Sequence, residues 1–236
     1  MTPPDPTAED APGPGDAPDP GNAPGPGAGV AFGVQVALDA LAEARIVPTV
    51  RAGDAEAADV VARVLYDAGV TTFEFTATTP GWRELVARWT AEVPGAAVGL
   101  GTVTSPEIAE AALDAGARFL VSPFQVPEVR PVADAAGRLF VEGAHSPTEV
   151  RAAAERGVAK LFPAHVGGLT YLRTLRSVLP GARIMATGGV TLANAGDWLA
   201  AGAFAVSVGS DLTAGGDVPA AVERLKTARL RAVPAP

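Results

Sequence analysis

Short apolar runs recur along this chain at a nearly constant interval, each preceded by a glycine and an amphipathic stretch of helix length. The runs follow Gly69 ("VTTFEF"), Gly95 ("AAVGLG"), Gly116 ("ARFLVS"), Gly137 ("RLFVEG"), Gly157 ("VAKLFP"), Gly181 ("ARIMAT") and Gly202 ("AFAVSV"), and successive glycines lie 26, 21, 21, 20, 24 and 21 residues apart. A glycine just past a helix end suits the left-handed turn that closes it, so seven helix ends are followed by seven strands. "ARIVPTVRA" before the first supplies an eighth strand.

The intervening segments read as helices. "SPEIAEAALDAG" and "SPTEVRAAAERG" open on Ser105 and Ser146 as N-caps, with Pro106 and Pro147 at the favoured first position, and Thr191 is placed to cap "TLANAGDWLAAG". Glu149 follows Ser146 at the spacing of a capping box. Strands alternating with helices imply a parallel sheet. Eight such units predict a (β/α)8 TIM barrel, an α/β fold, with an extra N-terminal helix at about 32 to 44. An open doubly wound sheet is the alternative, but "GLGTVT" lacks the third glycine of a dinucleotide fingerprint.

Composition sets apart the beginning of the chain. Residues 1–29 hold nine prolines, six glycines, five acids and no cation. Such a segment buries too little apolar surface to offset its ordering entropy. The expected organisation is therefore a disordered, acidic Pro/Gly-rich tail over 1–29 and one barrel domain over 30–236. The tail has neither the apolar core of a secretory signal nor the arginines of a transit peptide. No run of about 18 uncharged apolar residues offers a membrane span. These features lead to the expectation of a soluble cytoplasmic protein.

The net charge is −8, and without the tail's five acids it is −3, which argues against a nucleic-acid partner. The chain has no cysteine and two histidines, His145 and His165. Thiolate ligands and a cysteine nucleophile are excluded, and a multi-histidine metal centre is disfavoured. No metal and no cofactor are expected.

Chemistry in such barrels sits at the C-terminal ends of the strands. Those ends carry Arg51, Glu74 with Thr76, Thr102, Ser122, Glu142, Lys160, Thr187 with Gly188 and Gly189, and Gly209 with Ser210. Alternation along a strand puts Glu74 on the face opposite Phe73 and Phe75, and puts Lys160 with Phe162 opposite Ala159 and Leu161. If the phenylalanines of strand two pack under helices, a carboxylate and an amine meet inside the barrel. Lys160 is one of two lysines against sixteen arginines. A buried structural cation is better supplied by arginine, whose planar fork pairs bidentately with carboxylates. A lysine amine that burial or a neighbouring cation brings to its neutral form can bond covalently to a carbonyl carbon. Arg51 is a candidate for that neighbour. A purely structural Glu74–Lys160 ion pair is the alternative.

Other polar positions carry weaker signals. Thr102 and Ser122 could bond to backbone instead. His165 follows the lysine strand as a loop residue or a catalytic one, and His145 reads as solvated. The glycine turns at Gly188–Gly189 and Gly209–Ser210, after strands seven and eight, lie where barrels bind phosphate on backbone amides.

Together these residues resemble a known family, the Schiff-base-forming 2-keto-3-deoxy-6-phosphogluconate and 4-hydroxy-2-oxoglutarate aldolases. The likeness runs from about Arg45 to Leu212 through "IVPTVRAGDAEAA", "FEFTATTP", "GLGTVTSPE", "LVSPF", "KLFPA", "ATGGVTLANAGDWLAAGA" and "VSVGSDL". It implies Lys160 as the imine-forming lysine and Glu74 as the proton-transfer carboxylate. It also implies Thr102 and an arginine on the substrate carboxylate, Phe162 lining the pocket, and Gly188, Gly189, Gly209 and Ser210 around a phosphate. Some relatives carry the carboxylate-binding arginine after the glutamate strand, where this chain has Thr78. Others have it at the end of strand one, which Arg51 matches. Glu142 and His165 depart from the family pattern, and both are expected near the mouth of the site.

The resemblance further implies a lyase acting on a small keto acid and a homotrimeric assembly. The expected reaction is cleavage of 2-keto-3-deoxy-6-phosphogluconate, or a related 2-keto-4-hydroxy acid, to pyruvate and an aldehyde such as glyceraldehyde 3-phosphate. Two other functions fit the same residues. One is a phosphate-binding barrel isomerase or synthase without an imine. The other is an inactive barrel that binds an anion or a protein partner.

Overall fold

The computed structural model describes residues 26–213 and 218–231. The tail expected over 1–29 falls outside these residues except for its last four, which belong to the first helix. Helix α1 (Pro26–Ala44) leads into β1 (Ile46–Val50), and strands and helices then alternate: α2 (Ala55–Asp67), β2 (Thr72–Thr76), α3 (Trp82–Glu92), β3 (Ala97–Gly101), α4 (Pro106–Asp114), β4 (Phe119–Val121), α5 (Val129–Ala135) and β5 (Leu139–Ala144). The second half continues with α6 (Pro147–Ala154), β6 (Ala159–Leu161), a 3₁₀ turn at Ala164–Val166, α7 (Gly168–Val178), β7 (Ile184–Thr187), α8 (Ala195–Ala200), β8 (Ala205–Val208), α9 (Ser210–Thr213) and α10 (Val218–Arg231). The eight strands form one closed parallel barrel in sequence order. The expected (β/α)8 fold is the fold observed.

The local signals act largely as read. Ser105 caps α4, and Ser146 with Glu149 completes both bonds of the capping box on α6. Thr191 behaves differently. It exchanges bonds with Asn194, whose Oδ1 accepts from the Thr191 amide at 2.8 Å, and α8 starts only after this turn. Six of the seven spacer glycines have positive φ; Gly181 does not.

Two cores divide the apolar residues. The outer one lies between sheet and helices and contains Ile46, Phe73, Phe75, Leu100, Leu120, Phe140, Leu161 and Ile184. Trp89 of α3 meets Phe73 and Phe75 edge-on, with ring centroids 5.3 and 5.8 Å away. The inner core is built from Val47, Phe119, Val121, Leu139, Val141, Val158, Met185 and Ala205, and Ala37, Leu38, Leu41 and Ala44 of α1 plug it from below. Because side chains alternate along each strand, these two sets come from adjacent positions of the same strands.

The register sets the interior in layers. When the pairing offsets are followed round the sheet from Thr49 through Glu74, Gly99, Phe119 and Leu139 and on, they return to β1 at position 41, eight residues below the start. That is the shear of a TIM barrel, in which alternate strands contribute four residues to each interior layer. One layer then consists of Glu74, Val121, Lys160 and Ser207. The layer above it consists of Thr49, Gly101, Gly143 and Thr187. The layers below are apolar apart from Thr72, which donates to Ala40 O of α1 at 3.4 Å.

Candidate active site

The layer register puts a lysine and a glutamate on opposite sides of one interior ring. Lys160 Nζ stands 3.8 Å from Glu74 Oε1, and the two side chains are 6 % and 1 % exposed. Their cavity, about 290 Å³, opens at the C-terminal end of the barrel. Its lining includes Arg51, Glu74, Thr102, Lys160, Phe162, Gly188, Gly189, Gly209 and Ser210, so all nine residues expected at the site come together. Thr49, Pro123, Thr187, Val190 and Ser207 also line it.

Space for the carboxylate is made by a neighbour. A Cβ on Gly101 would lie 1.9 Å from Glu74 Oε1, so any larger residue there would push the carboxylate from its place. Glu74 Oε2 is buried and has no hydrogen-bond partner among the described residues; Thr187 Oγ1 is in the same position. A buried acceptor without a partner is costly in a finished fold, and such groups gather where a ligand binds. The Lys160 ammonium also lies 5.5 Å from the centroid of the Phe162 ring.

Above the pair, Arg51 leaves the end of β1 and donates to Thr78 Oγ1 at 2.7 Å and to Thr102 Oγ1 at 3.4 Å. Its guanidinium thus reaches the position after β2, beside Thr78, from the end of a different strand. Thr102 has φ +61°, a left-handed conformation that is uncommon for a residue branched at Cβ. Gly188 and Gly189 both have positive φ, at +87° and +75°. Successive backbone N–H groups in such turns form concave anion sites.

Three other polar residues lie away from this chemistry. Glu142 does not face the mouth. It shares parity with Phe140, turns outward beneath α5, and its Oε2 is 3.3 Å from Arg130 Nη2 while its Oε1 accepts from the Val126 amide at 3.1 Å. Ser122 is committed to backbone: it donates to Phe124 O at 2.6 Å and accepts from the Gly143 amide at 3.1 Å. His165 is exposed and does not line the cavity; its amide donates to Gly188 O at 3.1 Å, and its Cβ would lie 2.4 Å from a Cβ on Gly189. It braces the glycine turn from outside.

His145 is half-buried rather than solvated and sits against Tyr171, with ring centroids 5.3 Å apart. Tyr171 donates its hydroxyl to His145 O. The His145 and Ser146 amides hold the Glu149 carboxyl below the usual carboxylate range. Burial, with the Glu149 charge added, pushes the Tyr171 hydroxyl up.

Thr49 and Ser207 were not singled out in the sequence, where a lone hydroxyl in an apolar strand reads as filler. Inward parity was the signal that could have found them. It is the same rule that placed Glu74 and Lys160.

A closed barrel with an interior amine facing a carboxylate beneath an arginine is the arrangement of a Schiff-base aldolase, a carbon–carbon lyase. Comparison with known proteins gives the same class. Residues 38–224 match the family model described as KDPG and KHG aldolase. A probable 2-dehydro-3-deoxy-6-phosphogalactonate aldolase of Rhizobium meliloti is 35% identical over 161 residues, 66% of this chain and 76% of that protein. A 2-dehydro-3-deoxy-phosphogluconate aldolase of Pseudomonas aeruginosa is 36% identical over 163 residues, 67% of this chain and 73% of that protein. A solved structure of a 2-keto-3-deoxy-6-phospho-gluconate aldolase from Zymomonas mobilis superposes with TM-score 0.71 at 29% identity, covering 82% of this chain and 94% of that one. The chain belongs to the KDPG and KHG aldolase family.

Proposed function

We propose that the protein reversibly cleaves a 2-keto-4-hydroxy acid, with 2-keto-3-deoxy-6-phosphogluconate as the substrate and pyruvate and glyceraldehyde 3-phosphate as the products. The observation that carries this reading is the Lys160–Glu74 approach of 3.8 Å inside the cavity. Relatives named for phosphogluconate and phosphogalactonate aldolases support the substrate class, and the glycine turns support the phosphorylated form.

In this reading Lys160 Nζ, as the free amine, adds to C2. The carbinolamine loses water, and the C2 imine takes a proton to become an iminium. Glu74 accepts the proton of the C4 hydroxyl. The C3–C4 electron pair moves into the C2–C3 bond and neutralises the iminium as an enamine, while C4 becomes the aldehyde carbonyl. Glu74 then returns its proton to C3, and water hydrolyses the imine to release pyruvate and the free amine. Arg51 and Thr102 hold the substrate carboxylate so that C2 is fixed within reach of the amine. Gly188, Gly189, Gly209 and Ser210 receive the phosphate on backbone amides and a hydroxyl.

The test is incubation with pyruvate and borohydride followed by peptide mass mapping. A pyruvyl-sized increase on Lys160 is expected. No increase on Lys160 would favour a barrel isomerase, a synthase or an inactive binder. Pyruvate release from phosphorylated and plain keto-deoxy acids tests the phosphate role, and equal rates would remove it from Ser210 and the glycine turns.

A further inference from the structure

The layer that holds Lys160 and Glu74 has a third polar member, Ser207, which the mechanism above does not use. Ser207 is 2 % exposed and lines the cavity, as does Thr49 one layer higher on the neighbouring strand. The two hydroxyls are hydrogen-bonded to each other across β8 and β1. Two hydroxyls carry two hydrogens, and their mutual bond uses one of them. The other is not used by that bond, and both residues line the cavity.

The surrounding walls are unequal. In the layer above the lysine, β3 and β5 contribute Gly101 and Gly143, whose side-chain space is filled by the Glu74 carboxylate and the Pro123–Phe124 backbone, while β1 and β7 contribute the hydroxyls of Thr49 and Thr187. The glycine turns placed around the phosphate follow β7 and β8. A chain bonded at C2 to Lys160 and anchored at those turns therefore runs along the β7–β8 wall. Its C4 oxygen, which must approach Glu74 to lose its proton, passes Ser207 in the same ring.

We propose that Ser207 is a catalytic residue that donates a hydrogen bond to the C4 oxygen as it changes from hydroxyl to aldehyde carbonyl. Thr49 is its positioning residue, donating its own hydrogen to Ser207 Oγ so that the Ser207 hydrogen is directed at the substrate. In the cleavage direction the C4 proton leaves to Glu74, the C3–C4 pair passes into the enamine, and Ser207 keeps its proton throughout. In the condensation direction the same bond polarises the incoming aldehyde. This inference rests on the aldolase reading of the site. It assigns the Thr49–Ser207 pair to the aldehyde half of the substrate and leaves the pyruvate half to Lys160, Glu74 and Arg51.

The experiment separates the two halves. Exchange of the pyruvate methyl hydrogens in deuterated water, and borohydride trapping on Lys160, need only the pyruvate half; cleavage and condensation need both. For Ser207→Ala, kcat/KM of cleavage is expected to fall about tenfold to a hundredfold, the scale of one hydrogen bond to an oxygen that carries charge. Methyl exchange and trapping stay within about threefold of wild type, inside the range of one weak hydrogen bond. Thr49→Val gives a smaller loss with the same split, and Thr49→Ser, which keeps the hydroxyl, restores cleavage. Thermal melts check that each variant is folded, and if Ser207→Ala misfolds the Thr49 pair of variants reads the same split. Cleavage unchanged in both hydroxyl deletions overturns the inference, and so does a parallel fall in exchange and cleavage. Failure of the wild-type protein to trap pyruvate would instead overturn the aldolase reading itself.

Discussion

Two carboxylates are buried against cations in this barrel, and they are bonded very differently. Glu142, in the outer shell, has both oxygens bonded: Arg130 reaches one at 3.3 Å, the Val126 amide the other at 3.1 Å. The same guanidinium donates to Phe140 O at 3.2 Å and lies 4.7 Å from the Phe140 ring centroid. Glu74, inside the barrel, faces a lysine at 3.8 Å and leaves Oε2 without a partner among the described residues. A carboxylate bonded at both oxygens holds two elements together. Incomplete bonding with a lysine keeps a proton acceptor and an amine available to a substrate. An arginine cannot deprotonate in a protein, whereas a lysine amine can, so the choice of cation separates the two roles as clearly as the geometry does.

The most severe way to test the contrast is to give the interior pair the cation of the exterior one. Lys160→Arg keeps a positive charge opposite Glu74 but removes the imine. Cleavage is expected to fall by at least about ten-thousandfold, the scale on which loss of a covalent nucleophile is felt, and pyruvate trapping to vanish. The melting temperature should move by only a few degrees. A variant that still turns over would show that the lysine is not the covalent group.

The exterior pair should respond in the opposite way. Removing one partner of a buried pair strands a charge and costs about 3–5 kcal/mol. For a domain of this size each kcal/mol is worth about 2–4 °C in melting temperature. Arg130→Met is thus expected to lower the melting temperature by roughly 6–20 °C. Glu142 also fixes the Val126 amide, in the loop whose Pro123 lines the cavity. Activity per folded molecule should nevertheless stay within about tenfold of wild type, because no reacting atom is touched. Replacing both partners by Arg130→Met and Glu142→Leu should recover most of the lost stability. A double variant as unstable as the single one would mean that the stranded carboxylate was not the cause.

This contrast also shows where the sequence was informative. The strand count, the barrel and the Glu74–Lys160 encounter follow from the glycine spacing and from side-chain alternation, both of which are local rules. Glu142 was misplaced because its position at a strand end was weighed without its parity; Phe140 and Glu142 point the same way, and Phe140 lies in the outer core. Ser207 and Thr49 were missed for a complementary reason. Their inward parity is readable from each strand alone, but their bond to each other depends on the register between β8 and β1, which no single strand encodes. The first helix begins at Pro26, six residues before the expected start. Its opening "PGAGVA" has no apolar periodicity to announce a helix.

A third carboxylate shows what two backbone amides do to one carboxylate oxygen, with no lysine or arginine as partner among the described residues. Glu149 accepts from the His145 amide at 2.9 Å and the Ser146 amide at 2.8 Å, and these bonds hold its folded-state pKa below the usual carboxylate range. A carboxyl whose pKa is depressed by folding binds protons more readily when unfolded. Its contribution is therefore fully present above the unfolded carboxylate pKa and is lost as pH falls through the lower folded value. Glu149→Gln keeps an acceptor but removes the titration. At neutral pH it should cost up to about 1 kcal/mol, the scale of a capping contact. The difference in melting temperature from wild type should shrink as the solution is acidified through and below the carboxylate range. If that difference stayed constant down to strongly acidic pH, the two amide bonds would not be favouring the ionised form. The contrast between a carboxylate held by backbone amides and one left open to a substrate would then need another basis.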